Sequence, residues 1–157
     1  MDGRPRSNER TRRSDSESAS YASTPGVRSR MQLQRTRDTA PELAVRRLLH
    51  AMGLRYRVDR APLPKLRRRA DIVFGPAKVA VFIDGCFWHG CPEHCRRETQ
   101  ANPAYWSGKI ASNRARDADT DSRLVDAGWT PVRIWEHEPA QSAAERIASI
   151  VRQRRSS

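Results

Sequence analysis

Ala70-Asp71-Ile72-Val73-Phe74-Gly75-Pro76-Ala77-Lys78-Val79-Ala80-Val81-Phe82-Ile83-Asp84 is the stretch that decides the fold. Ala70 to Phe74 has strand character and Gly75-Pro76 makes a turn. Lys78 to Ile83 is a β-branched, nearly continuous apolar run, as expected of a central strand covered on both faces. Asp84-Gly85 ends it. Upstream, Pro41 to Met52 carries an apolar stripe of Leu43, Leu48 and Leu49, with Pro41 at the start and Gly53 as C-cap, which predicts a short amphipathic helix. Leu54 to Val58 then alternates like a half-buried strand, and Pro62 to Arg69 reads as a basic loop. Downstream, Cys86 to Ala101 reads as a loop. Asn102-Pro103 supplies an N-cap and first-turn Pro for a long helix to about Ala127, stopped by Gly128, with Ile110, Asn113, Asp117 and Leu124 on one side of it. Thr130 to Trp135 predicts a further strand and Ala143 to Val151 a closing helix. Helix, three strands, helix, strand, helix is an α/β arrangement.

The chain has 157 residues, which suits one domain and excludes a large multidomain enzyme. Its hydrophobic share of 37% lies below the roughly 45–50% of ordinary globular chains, so part of it is expected not to pack. Met1 to about Ser29, rich in Arg, Ser, Asp and Pro, cannot bury enough surface to offset the entropy of ordering. The expected organisation is a disordered tail over 1–29, one domain over 30–153 and a disordered end over 154–157. The longest apolar stretch, Val79 to Ile83, is far short of the roughly 20 residues of a membrane helix, and the polar start has no signal-peptide core. A soluble, cytoplasmic protein without a membrane partner is the expectation. Formal charge is +12. Much of the excess lies between Arg28 and Arg69, where thirteen Arg and Lys face only Asp38, Glu42 and Asp59. Such a run alone reads as a solvated face, but on a chain this basic it also fits a polyanionic partner.

All three cysteines fall between Cys86 and Cys95, a cluster that points to metal or redox chemistry rather than a disulfide framework. Cys86, Cys91 and His94 form C-x4-C-x2-H, and thiolate with imidazole favours tetrahedral zinc over a set of unliganded thiols. A fourth ligand is needed. Cys95 is adjacent to His94 in sequence, and neighbours seldom both reach one small ion, so His137, just beyond the strand ending at Trp135, is preferred, with Cys95 as a substitute. Asp71 at one strand start, Asp84 at the next strand end and His89 nearby form a second constellation. Phosphodiester hydrolysis needs an oxygen-ligated cation to polarise the phosphate and a group that activates water, and a carboxylate and a histidine supply both. Taken alone, Asp71 reads as a solvated strand-start residue and His89 as a loop histidine; the cluster around them shifts that reading. Phe87, Trp88 and Trp106 lie beside it. A single Trp reads as core packing, but a Phe-Trp pair inside a polar loop of a basic protein also fits stacking on bases or wedging between them.

Asp84-Gly-Cys-Phe-Trp-His-Gly-Cys-Pro-Glu-His94, with Arg37-Asp-Thr-Ala-Pro-Glu42 upstream and Tyr105-Trp106, Lys109-Ile110, Asn113, Arg116-Asp117, Gly128-Trp129 and Trp135-Glu-His-Glu138 downstream, resembles the very short patch repair DNA mismatch endonucleases. The resemblance runs in order from about Met31 to Glu138. It implies a restriction-endonuclease-like α/β core, a central mixed β-sheet flanked by helices, and a structural zinc. It also implies a magnesium-dependent nick of one strand beside a T:G mismatch left when 5-methylcytosine deaminates. On that resemblance Asp71 matches the central magnesium-binding aspartate, joined by the backbone carbonyl of Ile83, and His89 matches the general base. Glu42 and Asp117 match acidic residues near the reaction centre, with Asp117 orienting His89 or a metal-bound water. Phe87, Trp88 and Trp106 match aromatics that enter the duplex, and Cys86, Cys91, His94 and His137 fall where zinc ligands are expected. The implied partner is double-stranded DNA carrying the mismatch, met by a monomer associated with the bacterial nucleoid, with other repair proteins acting downstream. Two other readings use the same residues: a restriction-like nuclease on paired duplex, and a non-catalytic zinc-stapled DNA-binding module.

Overall fold

A computed structural model describes residues 37–86, 88–93 and 103–157. The expectations for the tail over 1–29 and for Phe87, His94 and Cys95 lie outside these residues. In chain order the elements are α1 (Ala40–Ala51), β1 (Arg57–Arg60), β2 (Ala70–Phe74), β3 (Val79–Asp84), α2 (Pro103–Asp126), β4 (Thr130–Trp135) and α3 (Ala140–Ser156). The sheet order is β1-β2-β3-β4. β1, β2 and β3 run antiparallel, while β4 lies parallel to β3, in register from Val79 opposite Thr130 to Asp84 opposite Trp135. The sheet is therefore mixed, and α2 makes the long connection that a parallel pair requires.

Alternation along the strands sorts side chains onto two faces. Ile72, Phe74, Val79, Val81, Val132 and Ile134 face α1 and α3, where they pack with Val45, Leu49, Ala144, Ile147 and Val151. Val73, Ala80 and Phe82 turn the other way and meet Leu124 of α2 and Leu66 of the preceding loop. Asp71, Arg133 and Asp84 follow the phase of this second face. The polar residues that matter thus share the α2 side of the sheet, at the end where β3 and β4 stop together.

Helix α1 begins with a capping box: the Thr39 side chain accepts from the backbone of the third helical residue, and Glu42 accepts from the Thr39 amide at 3.3 Å. Gly53, with φ +81°, closes its other end in the left-handed region. Two boundaries differ from the sequence expectation. The first pairing strand is Arg57–Arg60 rather than Leu54 to Val58, because Leu54 is buried under the end of α1 and its amide bonds the Leu49 carbonyl at 3.1 Å. The last helix runs to Ser156, so residues 154–156 are helical rather than a disordered end. Arg154 fixes that turn by donating to the Gly128 carbonyl at 2.7 Å and the Ala77 carbonyl at 3.3 Å.

Candidate active site and thiol–imidazole centre

Two polar clusters meet at the ends of β3 and β4. In the first, Asp84 on β3, His89 on the following loop and Asp117 on α2 bring ligand-type atoms within 4.8 Å of one another. His89 Nδ1 lies 2.5 Å from Asp117 Oδ2 and 3.9 Å from Asp84 Oδ1. A carboxylate only accepts, so Nδ1–H donates to Asp117 and the ring's basic lone pair is left on Nε2. Asp71 stands beside this group on β2, and its Oδ2 accepts from the Ile83 amide at 2.6 Å. Burial pushes the Asp71 carboxyl above the usual carboxylate range; the Ile83 N–H pulls it back, Asp84 pushes it further up and the Arg46 charge draws it down. Asp84 is raised too, by burial first, against the opposing pull of Arg133 and His89.

Glu42 reaches this neighbourhood through an intermediary. Its buried carboxylate takes the Arg46 guanidinium, which also donates to Asp38 at 2.7 Å and whose charge acts on Asp71. The contacts of Glu42 are thus the helix cap and Arg46.

Arg133 was not singled out by sequence. From β4 its Nη1 donates to both Asp84 oxygens, at 2.9 and 3.1 Å, and lies 3.4 Å from Asp117 Oδ1. Its Nε and Nη2 take Asp121 at 2.9 and 3.0 Å, and the guanidinium rests 4.6 Å from the centre of the Phe82 ring. Burial works against this cation, but the hydrogen bond to Asp121 and the charges of Asp84, Asp121 and Asp117 outweigh it, holding its pKa above the ordinary arginine value.

The second cluster joins Cys86, Cys91 and His137. His137 Nδ1 lies 3.0 Å from Cys86 Sγ and 3.7 Å from Cys91 Sγ, while its Nε2 faces Glu93 at 3.4 Å. Both thiols are buried, and burial followed by the neighbouring Cys91 pushes Cys86 up to about 12. Two buried thiols and the imidazole of an exposed histidine converging on one spot, with a carboxylate behind the imidazole, form a donor set suited to zinc. Among the described residues they supply three ligands; His94 and Cys95 lie outside.

Glu136 couples the two clusters. Its amide donates to the Asp84 carbonyl at 3.0 Å, and its Oε1 accepts from the Cys86 amide at 2.8 Å, so the backbone between Asp84 and Cys86 is pinned to β4's end. The turn beyond is pressed onto α2: Gly90 sits at φ +68°, and a Cβ there would lie 2.6 Å from Ile110 Cγ2. Trp88 is half-buried and meets Trp106 edge-on at 6.2 Å between centroids. Trp106, expected among the residues that enter the duplex, is only 5% exposed and packs between Trp88 and Tyr105, because it falls on the inward side of α2 with Asn113 and Leu124. Tyr105 is the more exposed neighbour, at 42%.

The buried Asn113 donates to the Trp88 carbonyl at 2.7 Å. Asn113→Ala should cost roughly 1–3 kcal/mol in urea unfolding and make Trp88 more accessible to a fluorescence quencher. Asn113→Asp should cost more, since it sets an acceptor against that carbonyl. Equal stability of both variants with the native chain would show that this bond does not hold the loop.

Fold and clusters together define an α/β protein with an acidic–histidine centre and a thiol–imidazole centre side by side at one end of a mixed sheet. The chain belongs to the Vsr family of DNA mismatch endonucleases: the family model described as DNA mismatch endonuclease Vsr matches residues 22–97. It is similar to the type II nicking enzyme V.NaeI of Lentzea aerocolonigenes, 46% identical over 125 residues, covering 77% of this chain and 72% of that one. The type II nicking enzyme V.XorIIP of Xanthomonas oryzae is 41% identical over 108 residues, covering 69% and 77%. The DNA mismatch endonuclease Vsr of Escherichia coli is 38% identical over 103 residues, covering 64% and 63%. Membership makes this chain one of a family of DNA endonucleases and implies the restriction-endonuclease-like form of its mixed α/β fold.

Among the described residues, no helix is long and apolar enough to cross a membrane.

Proposed function

We propose that this protein nicks one strand of double-stranded DNA beside a T:G mismatch, the product of 5-methylcytosine deamination, by magnesium-dependent phosphodiester hydrolysis that opens very short patch repair. The observation that carries the reading is the His89–Asp117 pair at 2.5 Å with Asp84 and Asp71 beside it. Asp71 and the Ile83 carbonyl would hold the magnesium, which when bound polarises the scissile phosphate and offsets the charge that develops on it. A half-buried carboxylate pushed up by desolvation and by a second carboxylate has reason to take a cation. His89, held by Asp117 through Nδ1, takes the proton of the attacking water on Nε2, and Asp117 steadies the imidazolium that results. Glu42 acts at one remove, by fixing Arg46 near Asp71.

Cys86, Cys91 and His137, with His94 or Cys95 as the fourth ligand, would hold a structural zinc that ties the loop after β3 to the loop after β4. On this reading Phe87 and Trp88 serve as the wedge; Trp106 backs Trp88. A T:G wobble differs little from a paired step in hydrogen bonding and more in deformability, so unstacking by aromatic wedges is a physical means of selecting it. The arginines of the Arg28–Arg69 region neutralise phosphates and make binding strongly salt-dependent. The enzyme acts as a monomer at the bacterial nucleoid in the cytoplasm and hands its nick to excision and resynthesis proteins.

The relatives named as type II nicking enzymes favour a one-strand cut, and they keep open a rival in which paired duplex is the substrate. Duplexes that differ only in carrying T:G, T:A or C:G at one position decide between them. Rapid nicking of the T:G duplex, at least about a hundredfold above the paired ones, is expected from an unstacking selection of roughly 3 kcal/mol. Equal rates on all three would establish the rival.

A further inference from the structure

Asp84, His89 and Asp117 are close enough to share an ion, yet a cation of the chain's own already sits among them. Arg133 Nη1 lies 2.9 and 3.1 Å from the two Asp84 oxygens and 3.4 Å from Asp117 Oδ1. The same guanidinium is fixed on its other edges by Asp121, at 2.9 Å through Nε and 3.0 Å through Nη2, and by the Asp117 carbonyl at 3.3 Å. The Phe82 ring covers one face of it. Five donors in a planar, permanently charged group are therefore committed to one acidic pocket. Asp71 differs: its hydrogen bond comes from a neutral backbone amide, and Arg46 acts on it through charge.

We infer that Arg133 is a built-in cation standing where a second divalent ion would otherwise bridge Asp84 and Asp117, so that the centre takes its divalent ion at the Asp71 end alone. This deepens the proposed hydrolytic reading and rests on it. Arg133 is a positioning residue. It holds one oxygen of Asp117 while the other oxygen holds His89, so the base is oriented from β4 through α2. A divalent ion entering between Asp84 and Asp117 would meet the guanidinium within a few ångströms and be repelled by it. An arginine can be placed once by folding, whereas a second metal ion must be recruited from solution.

The test counts ions. Full-length, zinc-loaded protein is titrated with Mn2+, and the free ion is measured by electron paramagnetic resonance. Arg133→Met is expected to bind one more Mn2+ per chain than the native protein, Arg133→Met with Asp84→Asn to lose that ion again, and Arg133→Lys to match the native count. Should Arg133→Met fail to fold, Arg133→Gln, which keeps donors toward Asp121, is expected to show the same extra ion. Equal counts in the native protein and the neutral variants would overturn the inference, as would two Mn2+ ions in the native protein with Arg133 in place. The count is independent of nicking, so the hydrolytic reading fails separately, by persistence of nicking when Asp71 is changed. A purely structural arginine would alter stability without adding a metal site.

Discussion

Asp71→Asn is expected to slow nicking of a T:G duplex by roughly 10³-fold or more while binding to that duplex stays within a few-fold. The substitution keeps the side-chain volume and removes the charge, so what it tests is ligation of a cation. Asp71 carries its charge in a half-buried position beside Asp84, against the Ile83 amide at 2.6 Å. Without a divalent ion that charge is unfavourable, and the folded chain of Asp71→Asn should be as stable as the native one or slightly more so. The pH dependence follows the same sign. A carboxyl raised above its ordinary value takes up a proton at a higher pH than an exposed one, and the proton competes with the metal. Nicking should therefore fall with falling pH before ordinary carboxylates titrate, and excess magnesium should shift that fall to lower pH. Single-turnover rates and filter binding measure the two quantities together. Native-level nicking by Asp71→Asn would remove Asp71 from the site, and a native protein that binds but never cuts would favour the zinc-stapled binding module.

Removal of zinc is the second large effect. Cys86 and Cys91 are buried, and Cys86 is pushed up to about 12, so its thiol keeps its proton in the metal-free chain. A cation that displaces those protons gains the buried thiolates as ligands and joins the loop after β3 to His137 beyond β4. One zinc per chain is expected in the purified protein. Chelation should lower the thermal midpoint by on the order of 10 °C, equivalent to roughly 3–5 kcal/mol in a domain of this size. Zinc affinity should fall as pH falls, because ligand thiols regain protons. Cys86→Ser should reproduce the loss without chelator. Absence of bound zinc, together with a midpoint that chelator leaves unchanged, would contradict the assignment of this centre.

The strands β2, β3 and β4 and the start of α2 are legible in the sequence because local pattern and tertiary burial agree there: Val79 to Phe82 is apolar on both faces and is buried on both. β1 is not legible, since Arg-Val-Asp-Arg has no apolar periodicity, and its pairing is an edge position where charged side chains suit exposure. Leu54 and Tyr56 supplied the misleading alternation; one plugs the end of α1 and the other donates its hydroxyl to the Arg46 carbonyl at 2.7 Å. The Thr39-x-x-Glu42 spacing is a capping signal that the sequence reading passed over, and it accounts for part of what Glu42 does. In the site, Asp71, His89, Asp117 and the thiols were named from residue type and resemblance. Arg133 escaped, because its carboxylates stand 12, 16 and 49 positions away, and no spacing rule connects them. Glu136 escaped for the same reason, being 50 positions from the amide it holds.

The most direct measurement labels each strand of a T:G duplex in turn and follows cutting with magnesium and with chelator. Cutting of the T-bearing strand alone, beside the mismatch and only with magnesium, is the expected result. Cutting of both strands, cutting of the G-bearing strand, or cutting that persists in chelator would contradict a magnesium-dependent mismatch nick at this centre.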